Sequence, residues 1–171
     1  MSPRITIVMP VYNGERYLAG AVASALAQDY DNFEIVIVND GATDRYSARI
    51  AQAFRDANQD RIRYIYQENG GVAAALNTAI GVATGEFFAW LSHDDLYYSD
   101  RLRQQMEFYQ KFDLDGACVF SNFRFIDENK NKLSSAVLNA SVFEAIPEVS
   151  LLQSGINGCA LLVPMKIMRQ Y

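Results

Sequence analysis

Residues Phe33 to Gly41 read FEIVIVNDG, and this short stretch decides the fold. Its first six residues are almost all apolar and rich in β-branched types, which predicts a strand buried on both faces. Asn39, Asp40 and Gly41 favour turns, so they predict the end of that strand. A strand buried on both faces belongs to a sheet that helices cover on each side.

The sequence around this strand alternates between further strands and helices. We expect three more strands in the first half, over Arg4–Met9, Arg61–Tyr66 and Phe87–Leu91, and Pro10 should end the first of them. Helical periodicity between them places apolar residues at Leu18, Val22, Ala25 and Leu26, at Ile50, Ala53 and Phe54, at Val72, Leu76, Ala79 and Ile80, and at Leu102, Met106 and Tyr109. The expected helix caps are Asn13 (with Glu15 in the first turn), Thr43-Asp44 and Ser99. This alternation predicts an α/β protein with a mostly parallel sheet.

The rhythm changes after Gly116. Ala117–Phe125 predicts one long strand, and the polar residues 127–132 predict a turn to a return strand. Residues 133–150 look irregular, Gly158–Val163 predicts a last strand, and Pro164 starts a short tail that looks like a helix start.

Composition and charge exclude several classes of protein. The chain has 171 residues, ordinary globular composition and a formal net charge of −5, so we expect a single domain that does not bind nucleic acid. No apolar run is long enough to span a membrane, and the N-terminus lacks the pattern of a signal peptide. Cys118 and Cys159 lie in apolar segments and are expected to be buried free thiols. These features predict a cytoplasmic protein with no membrane span, compatible with peripheral association.

Polar and glycine residues follow each of the first four strands. They are Pro10-Val11-Tyr12-Asn13, Asn39-Asp40-Gly41, Gln67-Glu68-Asn69-Gly70-Gly71 and Ser92-His93-Asp94-Asp95. Ligands of open α/β sheets bind at the carboxyl ends of the strands, so these turns should form one site. The turns carry almost no Lys or Arg. A phosphate ligand would therefore need a divalent cation, Mg²⁺ or Mn²⁺, held by the adjacent Asp94 and Asp95.

Other interpretations of the same residues stay open at this point. Asp94-Asp95 could be a solvated loop, Asp40 a turn residue, Tyr12 a packing aromatic, and Asn69-Gly70-Gly71 a flexible turn. His93 is the sole histidine, and we expect no catalytic role for it. The sequence has no GxxxxGK[ST] and no GxGxxG after the first strand, which excludes a P-loop NTPase and a dinucleotide dehydrogenase. A nucleotidyltransferase would require Arg or Lys after the first strand, where residues 11–14 supply none.

Four blocks together resemble the family 2 glycosyltransferases of the GT-A fold. They are Ile7–Gly14, Ile35–Asp44, Glu68–Val72 and Leu91–Asp95, and they cover most of residues 5–103 in the family's order. The resemblance implies a Rossmann-like three-layer α/β/α sandwich. It also implies inverting transfer of a sugar from a nucleoside-diphosphate sugar, with a UDP-sugar as the first candidate, to a saccharide or lipid-linked acceptor in polysaccharide biosynthesis.

The resemblance also assigns roles to residues of this chain. Pro10, Val11 and Tyr12 would line the pocket for base and ribose with Glu15 nearby, Asp40 would recognise the base edge, and Gly70 would allow close approach of the ligand. The DxD motif of the family, which binds metal and ribose, aligns with Ser92-His93-Asp94. Asp94 is the expected ligand of Mn²⁺ or Mg²⁺, and Asp95 would support it.

This chain departs from the family pattern in three places. Ser92 replaces the first aspartate of the DxD motif, and Leu76 stands where many members have an arginine. The general base of the family is a carboxylate that would lie beyond Tyr171, and nothing in the spacing of Glu128, Glu144 and Glu148 marks a substitute.

We therefore expect one GT-A domain over residues 1–171 that is truncated at its C-terminus. Residues 1–116 would form the nucleotide-sugar-binding half, and residues 117–171 would begin the acceptor half. The alternative is a nucleotide-sugar-binding module without turnover.

Overall fold

The computed structural model describes residues 2–114, 116–137 and 157–170. The first part contains β1 (Ile5–Val11), α1 (Leu18–Leu26), β2 (Phe33–Asp40), α2 (Ser47–Ala57), β3 (Ile62–Gln67), α3 (Gly71–Val82), β4 (Phe87–Trp90) and α4 (Arg101–Lys111). The second part contains β5 (Val119–Phe120), β6 (Phe123–Ile126), β7 (Lys132–Ala136), a short 3₁₀-helix (Gly158–Ala160), β8 (Leu161–Pro164) and α5 (Met165–Met168). The predicted alternation of strand and helix up to α4 is thus confirmed.

Six strands form the main sheet in the order β3-β2-β1-β4-β8-β5. β1 pairs in parallel with β2 and with β4, and β2 pairs in parallel with β3. β8 lies between β4 and β5 and runs antiparallel to both. The sheet is therefore mostly parallel, as the sequence predicts.

Two apolar clusters cover the two faces of the sheet. One joins alternate residues of β1 and β2, such as Ile7 and Ile37, to buried residues of α1, α2 and α4. The other joins the intervening residues, such as Val8 and Val36, to buried residues of α3 and α5. Successive residues of a strand point to opposite faces, so a strand covered on both sides is apolar at most positions. The three-layer α/β/α arrangement is confirmed.

β1 continues through Pro10 to Val11, so the prediction that Pro10 ends the strand is wrong. The carbonyl of Val8 accepts a hydrogen bond from Leu91 on the β4 side. Pro10 lies two residues beyond Val8, so its backbone nitrogen also faces the β4 side. However, β4 ends at Trp90, which pairs with Val8. The missing N–H of Pro10 therefore removes no hydrogen bond between strands.

The predicted caps of two helices are also wrong. α1 begins at Leu18, and Asn13 does not cap it. Asn13 has a φ of 52°, and its side-chain oxygen instead accepts from the backbone N–H groups of Thr43 and Asp44 at 2.8 and 3.0 Å. α4 begins at Arg101 with no side-chain cap, and the Ser99 carbonyl accepts from Asp29 N–H.

The predicted cap of α2 at Thr43-Asp44 is wrong in position, because the helix begins at Ser47 after Tyr46, which makes no side-chain cap hydrogen bond. Asp44 still contacts the helix start, since its Oδ1 accepts from the N–H of Ser47 at 3.0 Å. This bond joins the loop after β2 to the first residue of the helix. Thr43 does not share that role, because its N–H and hydroxyl group bond to Asn13.

The region after α4 differs from its prediction in detail. Ala117–Phe125 is not one strand, because β5 ends at Phe120 and β6 begins at Phe123. β5 joins the main sheet, whereas β6 pairs with β7 across the predicted polar turn, in which Asp127 accepts from the N–H groups of Asn129 and Asn131. The last strand is shorter than predicted, because Gly158–Ala160 is a 3₁₀-helix. Pro164 belongs to β8, and the tail after it is helical as expected.

Neither cysteine is the fully buried thiol that the sequence predicts. Cys118 is exposed and Cys159 is half-buried, and both are free. Cys118 lies between α4 and β5 in the stretch that was expected to be a continuous strand, so it is not enclosed by neighbouring strands. None of the helices in the described ranges is long and apolar enough to cross a membrane.

A buried carboxylate lies near the amino end of β2. Glu34 is 3% exposed, although the run around it is apolar. Its Oε1 accepts from the hydroxyls of Thr6 and Thr84 at 2.7 and 2.8 Å and from the backbone N–H of Thr84 at 2.7 Å. Its Oε2 lies 2.7 Å from Arg63 Nη2, within a salt bridge. Burial alone would raise the pKa of Glu34, but these hydrogen bonds and the Arg63 charge lower the pKa below its usual value.

Candidate functional site

An open cavity lies at the carboxyl ends of β1, β2 and β4. It is lined by Pro10, Val11, Tyr12, Asp40, Val72, Ser92, His93 and Asp94. The first, second and fourth predicted turns therefore do meet, and the first turn of α3 closes the cavity. Parallel strands direct their carboxyl ends to one edge of the sheet, which explains the convergence.

The first turn contributes an apolar wall and an exposed ring. Val11 is buried at the end of β1, while Tyr12 is 46% exposed. The turn is held against the fourth one, since a Cβ added at Gly14 would lie 2.6 Å from His93 Cδ2. A glycine is therefore needed here for the His93 ring to pack over the chain.

Asp40 ends β2 and is 3% exposed. Its Oδ1 accepts from Gln67 Nε2 at 2.7 Å and from Gly70 N–H at 2.9 Å, and its Oδ2 accepts from Gly71 N–H at 2.9 Å. These N–H groups belong to the start of α3, where backbone donors lack partners inside the helix. The Asp40 carboxylate therefore binds the N-terminus of α3 and at the same time lines the cavity.

The fourth turn presents Ser92 and Asp94 to the cavity. Asp94 is exposed, whereas Ser92 and Asp95 are half-buried. Asp95 N–H donates to the Ser92 carbonyl at 3.2 Å, which closes a tight turn. This geometry leaves the Asp94 carboxylate directed at solvent and cavity, where a cation or a polar ligand can reach it.

Behind the fourth turn lies the thiol of Cys159. Its Sγ is 3.4 Å from Ser92 N and 3.3 Å from Ser92 Oγ. Burial, a hydrogen bond to Asp95 and the Asp95 charge raise the pKa of Cys159 to about 12, so the thiol is neutral at ordinary pH. Cys159 therefore acts here as a packing and hydrogen-bonding partner of Ser92.

A buried cation lies further behind the same turn. Arg101 Nη2 donates to the Leu161 carbonyl at 2.9 Å, and the guanidinium carbon lies 4.0 Å from the Tyr97 ring centroid. Burial lowers the pKa of Arg101 and raises the pKa of Tyr97. Tyr97 donates its hydroxyl hydrogen to the Trp90 carbonyl at 2.5 Å, so Tyr97 supports the end of β4 while Arg101 supports the start of β8.

Some predicted site residues do not line the cavity. Glu15 is exposed and does not line the cavity. Its backbone N–H donates to Asp44 Oδ2 at 3.0 Å, in the loop after β2. Gly70 contributes its N–H to Asp40, and Asp95 lies behind Asp94. Glu128, a candidate for the missing base, pairs with Arg16 on the surface. Glu144 and Glu148 lie outside the described residues.

The charge at the site agrees with the sequence argument. None of the side chains lining the cavity is Lys or Arg. Leu76, at the expected arginine position, packs against the α3 side of the sheet. Across the three described ranges, no group of three or more His, Cys, Asp or Glu residues is placed to hold a metal ion.

Sequence reasoning missed three contributors to the site. Val72 was expected in the core, but it is 52% exposed and lines the cavity. Val72 directly follows Gly70-Gly71 at the start of a helix, close to the carboxyl ends of the strands where ligands bind. This position is a signal that could have identified it. Gln67 and Cys159 act through Asp40 and Ser92, and such side-chain contacts leave no pattern in the sequence.

Comparison with known proteins extends these observations. The family model for "Glycosyl transferase family 2" matches residues 6–164. An uncharacterized glycosyltransferase of Rickettsia typhi is 41% identical over 172 residues, covering 95% of this chain and 51% of the relative. The chain spans about half the length, or less, of the curated relatives it matches.

Solved structures give the same family. The mannosyltransferase PcManGT from Pyrobaculum calidifontis, in complex with GDP-Man and Mn²⁺, is similar with a TM-score of 0.60 and 27% identity over 64% of this chain and 33% of that chain. S. aureus TarS 1-349 in complex with UDP is similar with a TM-score of 0.58 and 28% identity over 63% of this chain and 32% of that chain. Because the family model covers nearly the whole chain and the sheet order is established, this chain belongs to glycosyl transferase family 2 and has the GT-A fold.

Proposed function

We propose that this chain provides the donor site of a metal-dependent inverting glycosyltransferase. The donor is a nucleoside-diphosphate sugar, with a UDP-sugar as the first candidate. The observation that carries the proposal is the meeting of Tyr12, Asp40, Ser92 and Asp94 around one cavity. The complexes of TarS with UDP and of PcManGT with GDP-Man support a nucleotide-sugar donor, since both proteins are similar to this chain.

The donor's nucleoside would occupy the side of the cavity formed by the first two turns. Tyr12 offers an exposed ring for stacking, Pro10 and Val11 offer an apolar wall, and Asp40 offers a carboxylate at the base edge. Ser92 carries a hydroxyl that can bond ribose. Gly70 and Gly71 carry no side chain between the ligand and the backbone of α3, and Glu15 lies at the periphery.

Asp94 is the side chain proposed to hold Mn²⁺ or Mg²⁺. One accessible carboxylate fits the requirement, because Mg²⁺ is usually held by one or two carboxylates together with substrate phosphates and water. A divalent cation bound there would neutralise charge on the leaving diphosphate. The absence of Lys and Arg from the cavity lining supports this assignment, since the diphosphate needs a positive partner. Asp95 would support Asp94 from behind.

The acceptor and the general base are proposed for the part of the relatives that this chain does not span. Residues 1–116 would bind the donor, and residues 117–171 would begin the acceptor half. We propose a saccharide or a lipid-linked saccharide as the acceptor and polysaccharide biosynthesis as the process. The same proposal includes a cytoplasmic location and peripheral contact with a membrane. The second candidate is a nucleotide-sugar-binding module without turnover, which nucleotide binding without sugar transfer would distinguish from the enzyme.

The first experiment is calorimetric titration of this chain with UDP, with and without Mn²⁺. We expect binding that requires the metal and an Asp94→Ala variant that loses at least about tenfold in affinity with Mn²⁺, because the variant removes a charged ligand. Asp60→Ala is the matched control. Asp60 is exposed in the turn before β3, so it lies at the amino ends of the parallel strands and away from the cavity at their carboxyl ends.

Three outcomes decide the proposal. Metal-dependent binding that Asp94→Ala alone weakens supports the donor site. Equal binding with and without Mn²⁺ would reject the metal role while keeping the nucleotide site. A folded chain that binds no nucleoside diphosphate with Mn²⁺ present would reject the donor function itself.

A further inference from the structure

A line of hydrogen bonds runs behind the carboxylate of Asp40. Thr78 Oγ1 lies 2.6 Å from Gln67 Oε1, and Gln67 Nε2 lies 2.7 Å from Asp40 Oδ1. Gln67 is the last residue of β3 and pairs directly with Asp40 across the sheet. Thr78 lies on α3, about two turns beyond the helix start that Asp40 binds. Strand and helix therefore reach the same carboxylate together.

The direction of these hydrogen bonds is fixed by chemistry. An ionised carboxylate only accepts, so the amide nitrogen of Gln67 must face Asp40. The amide oxygen of Gln67 then faces Thr78, and the Thr78 hydroxyl must donate to it. Replacing Gln67 or Thr78 by an apolar residue of similar shape would keep the packing but remove a hydrogen bond from this line.

The remaining acceptor capacity of Asp40 is small and directed. Oδ1 already accepts from Gln67 and Gly70, while Oδ2 accepts from Gly71 alone within the described residues. Each carboxylate oxygen has about two lone-pair sites, so one site on Oδ2 is left for a ligand. Donors on both oxygens also prevent the carboxylate from rotating about its bond to Cβ.

We infer that Gln67 and Thr78 are positioning residues that set the preference of this site among nucleobases. By fixing the Asp40 carboxylate, they make it favour a base whose ring nitrogen carries hydrogen, such as uracil or guanine. A cytosine or adenine ring nitrogen at the same place is an acceptor, and two acceptors facing each other leave a buried group unpaired. This inference rests on the proposed function, because it requires the base to lie against Asp40.

The test uses UDP and CDP, which have the same size and differ at the edge of the base. Their affinities for the chain are measured by calorimetry with Mn²⁺ in wild type, Thr78→Val, Thr78→Ser and Gln67→Leu. We expect wild type to prefer UDP. We expect Thr78→Val and Gln67→Leu to lower the ratio of the two affinities by about threefold to tenfold, which is the range for one hydrogen bond. Thr78→Ser retains the hydroxyl and should keep the ratio within about twofold.

The control variant is Gln52→Leu, since Gln52 is exposed on α2. A variant that only loosens the fold weakens UDP and CDP alike and leaves the ratio unchanged, so an unchanged ratio in Thr78→Val and Gln67→Leu overturns the inference. Equal loss of the ratio in Thr78→Val and Thr78→Ser also overturns it, as does equal binding of UDP and CDP by wild type. If wild type binds GDP and ADP instead, the same variants are compared on that pair. Wild type that binds none of the four rejects the proposed function, and the inference fails with it.

Discussion

The two ends of β2 each carry a buried carboxylate, but their surroundings differ. Glu34, near the amino end, faces the guanidinium groups of Arg63 and Arg4 at 2.7 and 3.7 Å and the hydroxyls of two threonines. Asp40, at the carboxyl end, is held by two backbone N–H groups and one amide, all of them neutral. Both residues are 3% exposed, so burial does not distinguish them.

The difference separates two roles on one strand. Glu34 has its charge balanced and its oxygens occupied, so nothing remains for a ligand to use. The hydrogen bonds to Asp40 all come from neutral donors, and within the described residues they leave one acceptor site on Oδ2. We therefore expect residues at the amino ends of the parallel strands to determine stability and residues at their carboxyl ends to determine ligand binding.

The largest effect on stability is expected for Glu34→Leu. It leaves the hydroxyl of Thr6 and the N–H of Thr84 without their acceptor and leaves Arg63 without its partner. Removing one member of a buried ion pair costs about 3–5 kcal/mol, and the partly exposed arginine reduces this to about 2–4 kcal/mol. Urea denaturation measures the loss, and Glu107→Leu, which removes an exposed partner of Arg103, serves as control. Loss of UDP affinity by the folded Glu34→Leu variant would break the separation of the two edges.

An intermediate effect on stability is expected for Asp40→Ala. It removes the acceptor for Gly70 and Gly71 at the start of α3, a loss like that of a helix cap, which is worth about 1–2 kcal/mol. UDP affinity should fall at least about tenfold in the same variant, because the site loses its carboxylate. A loss of stability as large as that of Glu34→Leu, with UDP affinity retained, would show that Asp40 is purely structural.

The smallest effect is expected from pH. Burial would raise the pKa of Glu34, but the hydrogen bonds from Thr84 and Thr6 and the charge of Arg63 outweigh burial and lower the pKa. The stabilisation is therefore complete above the pKa of the unfolded chain and is lost as pH falls through the lower pKa of the folded chain. Denaturation midpoints should decline on acidification below about pH 5 more steeply in wild type than in Glu34→Gln. Curves of equal slope would remove Glu34 as the source of acid sensitivity.

The sequence predicted the parts of the molecule that repeat a pattern. Continuous apolar runs such as Ile35–Val38 identified buried strands, because a strand covered on both faces has few polar positions. Since parallel strands end at one edge, the order of the turns was enough to bring Tyr12, Asp40 and Asp94 together. Pattern and topology therefore predicted the cavity without any side-chain detail.

The features that the sequence did not predict depend on contacts between distant residues. Asn13 was expected to cap its own helix, yet its side chain bonds to Thr43 and Asp44 of another loop. Glu34 interrupts an apolar run, and only the structure shows its partners from β1, β3 and the loop after α3. A polar side chain can satisfy its hydrogen bonds locally or at long range, and its residue type does not say which.

The position of β8 between β4 and β5 has a consequence for the order of folding. Until residues 157–170 have been synthesised, β4 has a neighbour on the β1 side and an unpaired edge on the other. An unpaired edge next to an apolar strand is a site for association with other chains. The same late segment brings Cys159 to Ser92, so one turn of the cavity receives its support last. Addition of β8 to the sheet is therefore expected to complete the packing behind Ser92 as well.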